Sequence, residues 1–292
     1  MKLVTFEHEG RTRIGTLHDN EVIDLEAAWR PRGRAASSLL ELLRGGSAAL
    51  EEARAADAGA SKSDRLPLKS VRLLAPLPRP TKVICVGLNY RDHAEETGQP
   101  IPKIPIFFTK APSSVIGPQA PITLPIDSEQ VDYEAELAIV IGAPCRRADP
   151  AKARGAIAGY TIMNDVSARD WQFRTSQWFI GKTFDTFGPM GPALVTADEV
   201  GDPHVLDVSL RLNGAVMQQS NTRNLIFGVT DIVAELSRVM TLEPGDVIAT
   251  GTPGGVGFIR KPPVFLKHGD HVEILIAGVG TLSNPVVAER RP

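Results

Sequence analysis

The opening part of the chain alternates short apolar runs with polar, turn-forming pairs. Three of these runs have the length and composition of β-strands: Leu3–Phe6, Arg13–Leu17 and Glu21–Leu25. Glu9-Gly10 and Asp19-Asn20 separate them, and both pairs favour tight turns. The pattern therefore predicts a small unit of short strands at the start of the chain.

Two helical patterns follow these strands. Ser37-Ser38 is a candidate cap for a helix over Leu39–Leu43, and Gly45-Gly46 ends that helix. A second helix is expected over residues 48–56. The stretch Asp57–Asp64 is small and polar without an apolar period, so we interpret it as a linker.

β-strand patterns dominate from residue 71 onward. Three apolar runs have strand length: Val83–Val86, Glu134–Ile141 and Ile157–Met163. Asn213-Gly214, between two further strand-like runs, is a strong signal for a two-residue hairpin. One amphipathic helix is expected over residues 229–240, where apolar residues recur at helical spacing. The patterns predict a mixed α/β, β-rich fold with a small N-terminal α/β domain at residues 1–70 and a larger domain at residues 71–292.

Composition and charge narrow the class of protein. The chain has 292 residues, of which 42% are hydrophobic, and its net charge of -2 comes without single-sign runs. This balance argues against a nucleic-acid or membrane-surface partner, where basic clusters are expected. No apolar stretch approaches the roughly 18 residues of a membrane span, and the first residues lack the pattern of a secretion signal. Two cysteines make neither a disulfide framework nor a zinc site, so we expect a cytoplasmic protein.

The segment Val131–Gly142 carries three acidic side chains at alternate positions of a predicted strand. Because strand side chains alternate between faces, Asp132, Glu134 and Glu136 are expected to share one face. Such a row repels itself unless something neutralises it, and carboxylate oxygens suit Mg²⁺, Mn²⁺ or Ca²⁺. The segment therefore favours a metal site, although a solvated edge strand with an acidic face gives the same pattern.

A further carboxylate, Asp165, follows the apolar strand at residues 157–163. Functional side chains are often presented where a buried strand ends and a loop begins. The alternative is that Asp165 caps the next turn, with Arg169 as its surface partner four residues on. Taken alone, this segment favours the capping role.

A histidine–carboxylate pair is expected in the segment Gly87–Glu96. If the segment contains a short helix, His93 and Glu96 share a face and Glu95 points away. Such a pair can hold a water molecule and move its proton near neutral pH, although an exposed helical pair has the same spacing. The stretch Thr97–Pro105, rich in glycine and proline, is expected to form a loop that could order over a ligand.

Two other segments are weaker signals of a site. Gly181–Asp185 places Lys182 among apolar and aromatic residues, and residues 249–257 form a glycine-dense loop after a predicted strand. Such loops let backbone N–H groups approach an anion, but this one lacks the pattern of a nucleotide-binding loop. A surface lysine and an ordinary turn are the alternatives.

In this order the segments resemble the fumarylacetoacetate hydrolase family. The matching motifs are GLNYRDHAEE (Gly87–Glu96), VDYEAELAIVIG (Val131–Gly142), NDVSARDWQ (Asn164–Gln172), GKTFDTF (Gly181–Phe187) and TGTPGGVG (Thr250–Gly257). Five ordered motifs are far more specific than any one of them, and the likeness extends from about Leu73 to the C-terminus.

The resemblance implies a fold and a metal site. The family's catalytic fold is a mixed β-sandwich roll, usually a homodimer, with the active site inside the roll. Glu134, Glu136 and Asp165 match the family's metal-ligand positions, which usually hold Mg²⁺ or Mn²⁺. Asp132 matches no usual ligand position, so the resemblance assigns one carboxylate fewer to the metal than the strand pattern does.

The resemblance also implies catalytic and substrate-binding residues. His93 and Glu96 match the dyad of the smaller bacterial and mitochondrial members, and Lys182 matches a lysine that contacts the substrate and stabilises developing charge. The expected substrate contacts lie in the same motifs and are Tyr90, Arg169, Gln172, Gly251 and Thr252.

The reaction implied by the resemblance is chemistry on a small 2-oxo acid. The eponymous hydrolases carry an additional carboxylate ligand upstream of the histidine, and Lys82–Asn89 contains none. This difference favours the smaller members, which act as acylpyruvate hydrolases or as isomerases of 2-hydroxyhepta-2,4-diene-1,7-dioate type. Hydrolysis of a C–C bond in a 2,4-dioxo acid is the first expectation. Isomerisation, or decarboxylation of a substrate such as oxaloacetate, is the alternative, and no residue in the sequence decides between them.

Overall fold

The computed structural model describes residues 1–29 and 36–290. The strands are β1 (Lys2–His8), β2 (Arg11–His18), β3 (Glu21–Asp24), β4 (Arg65–Pro67), β5 (Arg72–Leu73), β6 (Val83–Gly87), β7 (Ile106–Lys110), β8 (Val115–Ile116), β9 (Ile122–Leu124), β10 (Val131–Asp132), β11 (Ala135–Ile141), β12 (Ile157–Asn164), β13 (Ser167–Ala168), β14 (Gly188–Thr196), β15 (Asp207–Leu212), β16 (Ala215–Asn221), β17 (Val247–Ala249), β18 (His271–Ile276) and β19 (Gly280–Ala288). The helices are α1 (Leu25–Trp29), α2 (Leu39–Arg44), α3 (Gly46–Ala58), α4 (Arg91–Thr97), α5 (Pro150–Gly155), α6 (Arg169–Gln172), α7 (Phe179–Lys182), α8 (Ala197–Val200) and α9 (Val229–Val239). Within these residues, no helix is long and apolar enough to cross a membrane.

One large sheet runs through both halves of the chain. Its strands lie in the order β4-β3-β2-β1-β14-β12-β11-β17-β6-β7, with β5 beside β1 and β8 beside β14. The N-terminal strands join it through antiparallel pairing of β1 with β14, where Lys2 lies opposite Val195. The three strands predicted at the start of the chain therefore form, and they extend the sheet that carries the rest of the molecule.

A second sheet packs against the large one and closes the core. Its strands lie in the order β16-β15-β18-β19-β9. Leu137 and Ile139 of β11 share one buried cluster with Leu210 of β15 and Ile274 of β18, so the apolar faces of both sheets contribute to one core. The predicted mixed α/β, β-rich class and the β-sandwich roll implied by the resemblance are confirmed.

Local sequence signals specify several of these elements. Ser38 caps α2 by accepting a hydrogen bond from the amide of Glu41. Asn213 and Gly214 both have positive φ, 52° and 83°, as a type I′ hairpin turn requires. The helix expected over residues 229–240 is α9, whose buried side lies against the main core.

The predicted linker at Asp57–Asp64 is wrong. Helix α3 continues to Ala58, and residues 62–64 form a short 3-10 turn. The carboxylate of Asp57 accepts a hydrogen bond from Thr16 and lies 2.8 Å from Nε2 of His18. These contacts with β2 hold the end of α3 on the sheet. A search for local apolar periodicity cannot detect them, because they join residues about 40 positions apart.

The order of strands brings several chain segments to one end of the large sheet. β11 runs antiparallel to both of its neighbours, with Ala135 opposite Asn164 of β12 and Ala138 opposite Ala249 of β17. The beginning of β11 therefore lies beside the ends of β12 and β17. β6 is parallel to β17, so Gly87 at its end reaches the same edge. All five motifs of the resemblance contribute residues at or near this end.

Close packing between β12 and β14 gives a prediction for stability. A Cβ at Gly159 would lie 2.0 Å from the carbonyl oxygen of Val195 and 2.8 Å from Cα of Thr196. Gly159→Ala should therefore lower the free energy of unfolding by at least about 1–3 kcal/mol, the usual cost of overpacking. Gly155→Ala is the matched control, since a Cβ there meets nothing within 4 Å. Chemical denaturation of the two variants checks this, and equal stability would contradict the backbone clash.

Candidate active site

Three buried carboxylates lie together where β11 begins and β12 ends. Glu134 directly precedes β11, Glu136 is its second residue, and Asp165 follows β12. The amide of Asp165 donates to the carbonyl oxygen of Glu134 at 2.9 Å, which ties the two segments together. One carboxylate oxygen from each residue lies within 4.8 Å of the others. The structure thus brings the three expected ligands into one group, called here the triad.

Cationic side chains surround the triad. Nζ of Lys182 donates to Oε2 of Glu134 and to Oδ2 of Asp165, both at 2.8 Å. Nζ of Lys110 donates to Oδ1 of Asp165, and Nη1 of Arg169 lies 2.6 Å from Oε1 of Glu134. The lysines and the arginine are buried with the acids, so these contacts act with little solvent screening.

The pKa values of Glu134 and Glu136 are shifted in opposite directions because the cations are unevenly distributed. Burial disfavours the charged form of Glu134, but Lys182 and Arg169 outweigh it and lower its pKa to about 2. Burial and the charges of Asp165 and Glu134 raise the pKa of Glu136 well above its ordinary value. The protein therefore compensates the charge of Glu136 less than that of Glu134.

The residues of the triad fit a divalent cation. Within the described residues, no basic side chain forms a direct ion pair or hydrogen bond with Glu136, and the amide of Gly251 donates to its Oε2 at 2.7 Å. A divalent cation at the triad would supply the missing positive charge. Buried carboxylate oxygens are the donors that Mg²⁺, Mn²⁺ and Ca²⁺ prefer.

Asp132 lies on the same side of the chain as Glu134, although the strand is interrupted between β10 and β11. Val131, Tyr133 and Ala135 all belong to the main buried cluster, and the guanidinium of Arg169 contacts both Asp132 and Glu134. Asp132 accepts hydrogen bonds from Nε and Nη2 of Arg169 and from the amides of Gly257 and Phe258. Asp132 holds Arg169 and the glycine-dense loop in place and is not part of the triad.

A cavity of about 490 Å³ is lined by two members of the triad, Glu134 and Glu136. Polar and charged residues line part of it: His93, Glu96, Thr97, Gln99, Glu134, Glu136, Arg169, Gln172, Lys182 and Thr252. Aromatic and aliphatic residues line the remainder: Val86, Leu88, Ile106, Phe108, Phe173, Trp178, Phe258 and Ile259, with Gly87 between them. One cavity therefore combines a charged wall with an apolar wall.

The expected dyad forms on α4. His93 and Glu96 both line the cavity, with 3.6 Å between Nδ1 of His93 and Oε2 of Glu96, whereas Glu95 does not line it. The amide of Gly255 donates to the same Oε2 at 2.8 Å. Burial opposes ionisation of Glu96, but the neighbouring imidazole and this amide leave its pKa below the ordinary value.

The expected substrate-binding residues fall into two groups. Arg169, Gln172 and Thr252 line the cavity, and the first two are hydrogen-bonded to each other at 2.9 Å. Tyr90 is fully buried and does not line the cavity. Gly251 is also outside the lining, and its φ of 101° turns its amide toward Glu136. The structure brings the first group to the cavity and places the second behind it.

Two features of the site were missed in the sequence. Lys110 ends the strand β7, which no alternating pattern marked, and its ammonium is fully buried beside Asp165. The apolar wall draws Phe108, Phe173, Trp178 and Phe258 from three separate segments. A lysine two residues after the apolar run Ile106–Phe108 was the available signal for the first feature.

Comparison with known proteins places these observations in a family. Residues 82–287 match the family model described as fumarylacetoacetate (FAA) hydrolase C-terminal, and residues 1–76 match one described as Rv2993c-like, N-terminal. The chain is 46% identical to the oxaloacetate tautomerase FAHD2A, mitochondrial, of Bos taurus over 293 residues, which is 98% of this chain and 92% of that protein.

Solved structures agree over the whole chain. A fumarylacetoacetate hydrolase from Exiguobacterium antarcticum superposes with a TM-score of 0.86 at 42% identity, covering 99% of this chain and 100% of that one. The maleylpyruvate hydrolase of Sphingobium sp. SYK-6, in complex with manganese(II) and pyruvate, gives 0.81 at 34% identity with the same coverage. Since a family model covers most of the sequence and these relatives match it nearly end to end, the chain belongs to the fumarylacetoacetate hydrolase family.

Proposed function

We propose that the protein is a metal-dependent enzyme that moves a proton at the carbon next to the 2-oxo group of a small 2-oxo acid. The first candidate reaction is the interconversion of the enol and keto forms of oxaloacetate. The observation that carries this proposal is that two members of the triad, Glu134 and Glu136, line the same cavity as the His93–Glu96 dyad. The bovine relative named an oxaloacetate tautomerase, at 46% identity, supports the choice of substrate.

Glu134, Glu136 and Asp165 would hold the metal, and Mg²⁺ or Mn²⁺ bound there supplies a Lewis acid that stabilises negative charge on the substrate oxygens. Lys182 lies at the same end of the cavity, and its buried ammonium stabilises negative charge on the substrate. Asp132 holds Arg169 in a fixed orientation, so its guanidinium presents a positive charge at a constant position in the cavity wall. These residues bind and orient the polar end of the substrate.

The dyad transfers the proton. His93 presents its ring to the cavity, and Glu96 lies 3.6 Å from its Nδ1, where the carboxylate stabilises the imidazolium that forms. In the direction from keto to enol, the dyad removes a proton from C3, the electron pair forms the C2–C3 double bond, and the oxygen on C2 gains a proton. The amide of Gly255 keeps Glu96 in position throughout.

Hydrolysis of the C3–C4 bond of a 2,4-dioxo acid, of acylpyruvate or fumarylpyruvate type, is the second candidate. The apolar wall of the cavity favours it, since Phe108, Phe173 and Trp178 would contact an acyl tail that oxaloacetate lacks. In this reaction the dyad would deprotonate a water that attacks the C4 carbonyl, and the bonding pair of C3–C4 would pass to C3. The products would be pyruvate and an organic acid.

A substrate panel separates the two candidates. Purified protein with Mg²⁺ or Mn²⁺ is incubated with enol oxaloacetate, acetylpyruvate and fumarylpyruvate, and the products are followed by ultraviolet absorbance and NMR. We expect ketonisation of oxaloacetate to accelerate without release of pyruvate. Pyruvate release from the dioxo acids without acceleration of ketonisation would favour hydrolysis. No change in any of the substrates would contradict both candidates.

Metal removal tests the role of the triad. Exhaustive chelation should abolish activity and lower the melting temperature, because like charges of the triad then repel with less compensation and the stabilisation from binding is lost. Differential scanning fluorimetry and the oxaloacetate assay measure the two effects, and adding Mg²⁺ or Mn²⁺ back should restore both. Full activity after chelation would contradict the metal assignment.

Substitutions in α4 test the dyad. His93→Ala and Glu96→Gln should each reduce turnover by about 10²–10⁴-fold, the usual contribution of a positioned acid or base. The rise in melting temperature caused by Mn²⁺ should stay near that of the wild type, because neither side chain belongs to the triad. Glu95→Gln is the matched control, since Glu95 lies on the same helix but does not line the cavity. Loss of activity in the control, with Glu96→Gln active, would show that the helical face has been misassigned.

A further inference from the structure

We propose that Lys110 is a metal-selectivity residue. Its ammonium binds one oxygen of Asp165, as Arg169 does for Glu134 and the amide of Gly251 does for Glu136. Each member of the triad can then offer a cation only its other oxygen. This arrangement favours a small six-coordinate cation, Mg²⁺ or Mn²⁺, over Ca²⁺. The proposal rests on the metal-dependent function proposed above.

Each carboxylate of the triad has one oxygen held by a donor other than Lys182. For Asp165 it is Oδ1, which accepts from Nζ of Lys110. For Glu134 it is Oε1, which lies 2.6 Å from Nη1 of Arg169. For Glu136 it is Oε2, which accepts from the amide of Gly251 at 2.7 Å.

Two of the remaining oxygens contact the third cation. Oε2 of Glu134 and Oδ2 of Asp165 both lie 2.8 Å from Nζ of Lys182 and are therefore close to each other. Within residues 1–29 and 36–290, Oε1 of Glu136 forms no hydrogen bond or ion pair, whereas its Oε2 accepts from Gly251. Three oxygens, one from each residue, are therefore the ones available to a cation, and a cation that binds them shares two of them with Lys182 or displaces it.

The three donors that bind these first oxygens, Lys110, Arg169 and the amide of Gly251, are themselves fixed by further contacts or by the backbone. Lys110 is fully buried and also donates to the carbonyl oxygen of Val166 at 3.1 Å. Arg169 is fixed by two hydrogen bonds to Asp132. The third donor is a backbone amide in a turn with positive φ. Rotation of a carboxylate into two-oxygen ligation would break one of these buried contacts.

Ligation by single oxygens distinguishes cations by their coordination. Ca²⁺ takes six to eight oxygens, often with both oxygens of a carboxylate, whereas Mg²⁺ requires a near-octahedral shell and keeps several waters. Three single oxygens complete half of an octahedron and leave the other half for substrate or water. The same three ligands supply a smaller share of the shell that Ca²⁺ needs.

Lys110 is the position at which this restriction can be tested. Loss of the positive charge of Lys110 would strengthen the attraction of the triad for every divalent cation. The affinity for any one cation therefore does not test selectivity. The ratio of the Ca²⁺ and Mg²⁺ dissociation constants cancels that common effect. Freeing Oδ1 of Asp165 should shift the ratio toward Ca²⁺, because Asp165 can then ligate with both oxygens.

The experiment is calorimetric titration of metal-free, full-length protein with Mg²⁺, Mn²⁺ and Ca²⁺. The wild type should bind Mg²⁺ and Mn²⁺ more tightly than Ca²⁺. Lys110→Met should shift the ratio of dissociation constants toward Ca²⁺ by about 10–100-fold, the usual range for residues that orient metal ligands.

Lys82→Met is the matched control. Nζ of Lys82 lies 2.7 Å from Oδ2 of the fully buried Asp246, so this variant also removes a lysine from a buried aspartate. Lys82 and Asp246 precede β6 and β17, whereas the triad lies at the other end of these strands. The control should lose stability and keep the wild-type ratio.

Each outcome bears on a separate claim. A wild type that binds Ca²⁺ as tightly as Mg²⁺ overturns the selectivity proposal, and this measurement does not depend on any variant folding. An unchanged ratio in Lys110→Met, or the same shift in Lys82→Met, overturns the role of Lys110 while leaving the metal site intact. Absence of binding of all three cations to the wild type overturns the metal site itself and the selectivity with it.

Discussion

Burial of four carboxylates at one end of a sheet is the constraint on which the site depends. Asp132, Glu134, Glu136 and Asp165 are all removed from solvent, and isolated buried charge is costly unless it is paired and hydrogen-bonded. Three cations from separate elements meet this requirement: Lys110 from β7, Arg169 from α6 and Lys182 from α7. Displacement of β7, α6 or α7 would therefore leave a buried carboxylate without its cation.

Local periodicity predicted the parts of the site that lie within single elements. Glu134 and Glu136 were assigned to one face from alternation along a strand, and His93 and Glu96 to one face from helical spacing; the structure has both arrangements. Alternation also placed Asp132 on the side of Glu134, but there it pairs with Arg169 and does not join the triad. Periodicity gives the direction of a side chain and does not give its partner.

Long-range pairing was beyond the reach of the sequence pattern. Lys110 lies on a strand at the edge of the sheet, 55 residues from Asp165 along the chain, and nothing in its neighbours indicates that its ammonium is buried. The pairing of β1 with β14 likewise joins segments nearly 200 residues apart. The resemblance grouped Glu134, Glu136 and Asp165, which the structure brings together, because it carries such three-dimensional information in the order of its motifs, but it assigned no role to Lys110.

The pairing of β1 with β14 has a consequence for the modular architecture of the chain. A separable module can be deleted or exchanged because few backbone hydrogen bonds cross its boundary. Here the boundary is a strand ladder, and removal of β1 would turn part of β14 into an open edge, the kind of surface on which other chains add strands and aggregate. β14 also borders β12, which leads into Asp165. In this protein the N-terminal segment is a fixed flank of the catalytic sheet, and shuffling it between relatives would require a compatible edge on both sides of the junction.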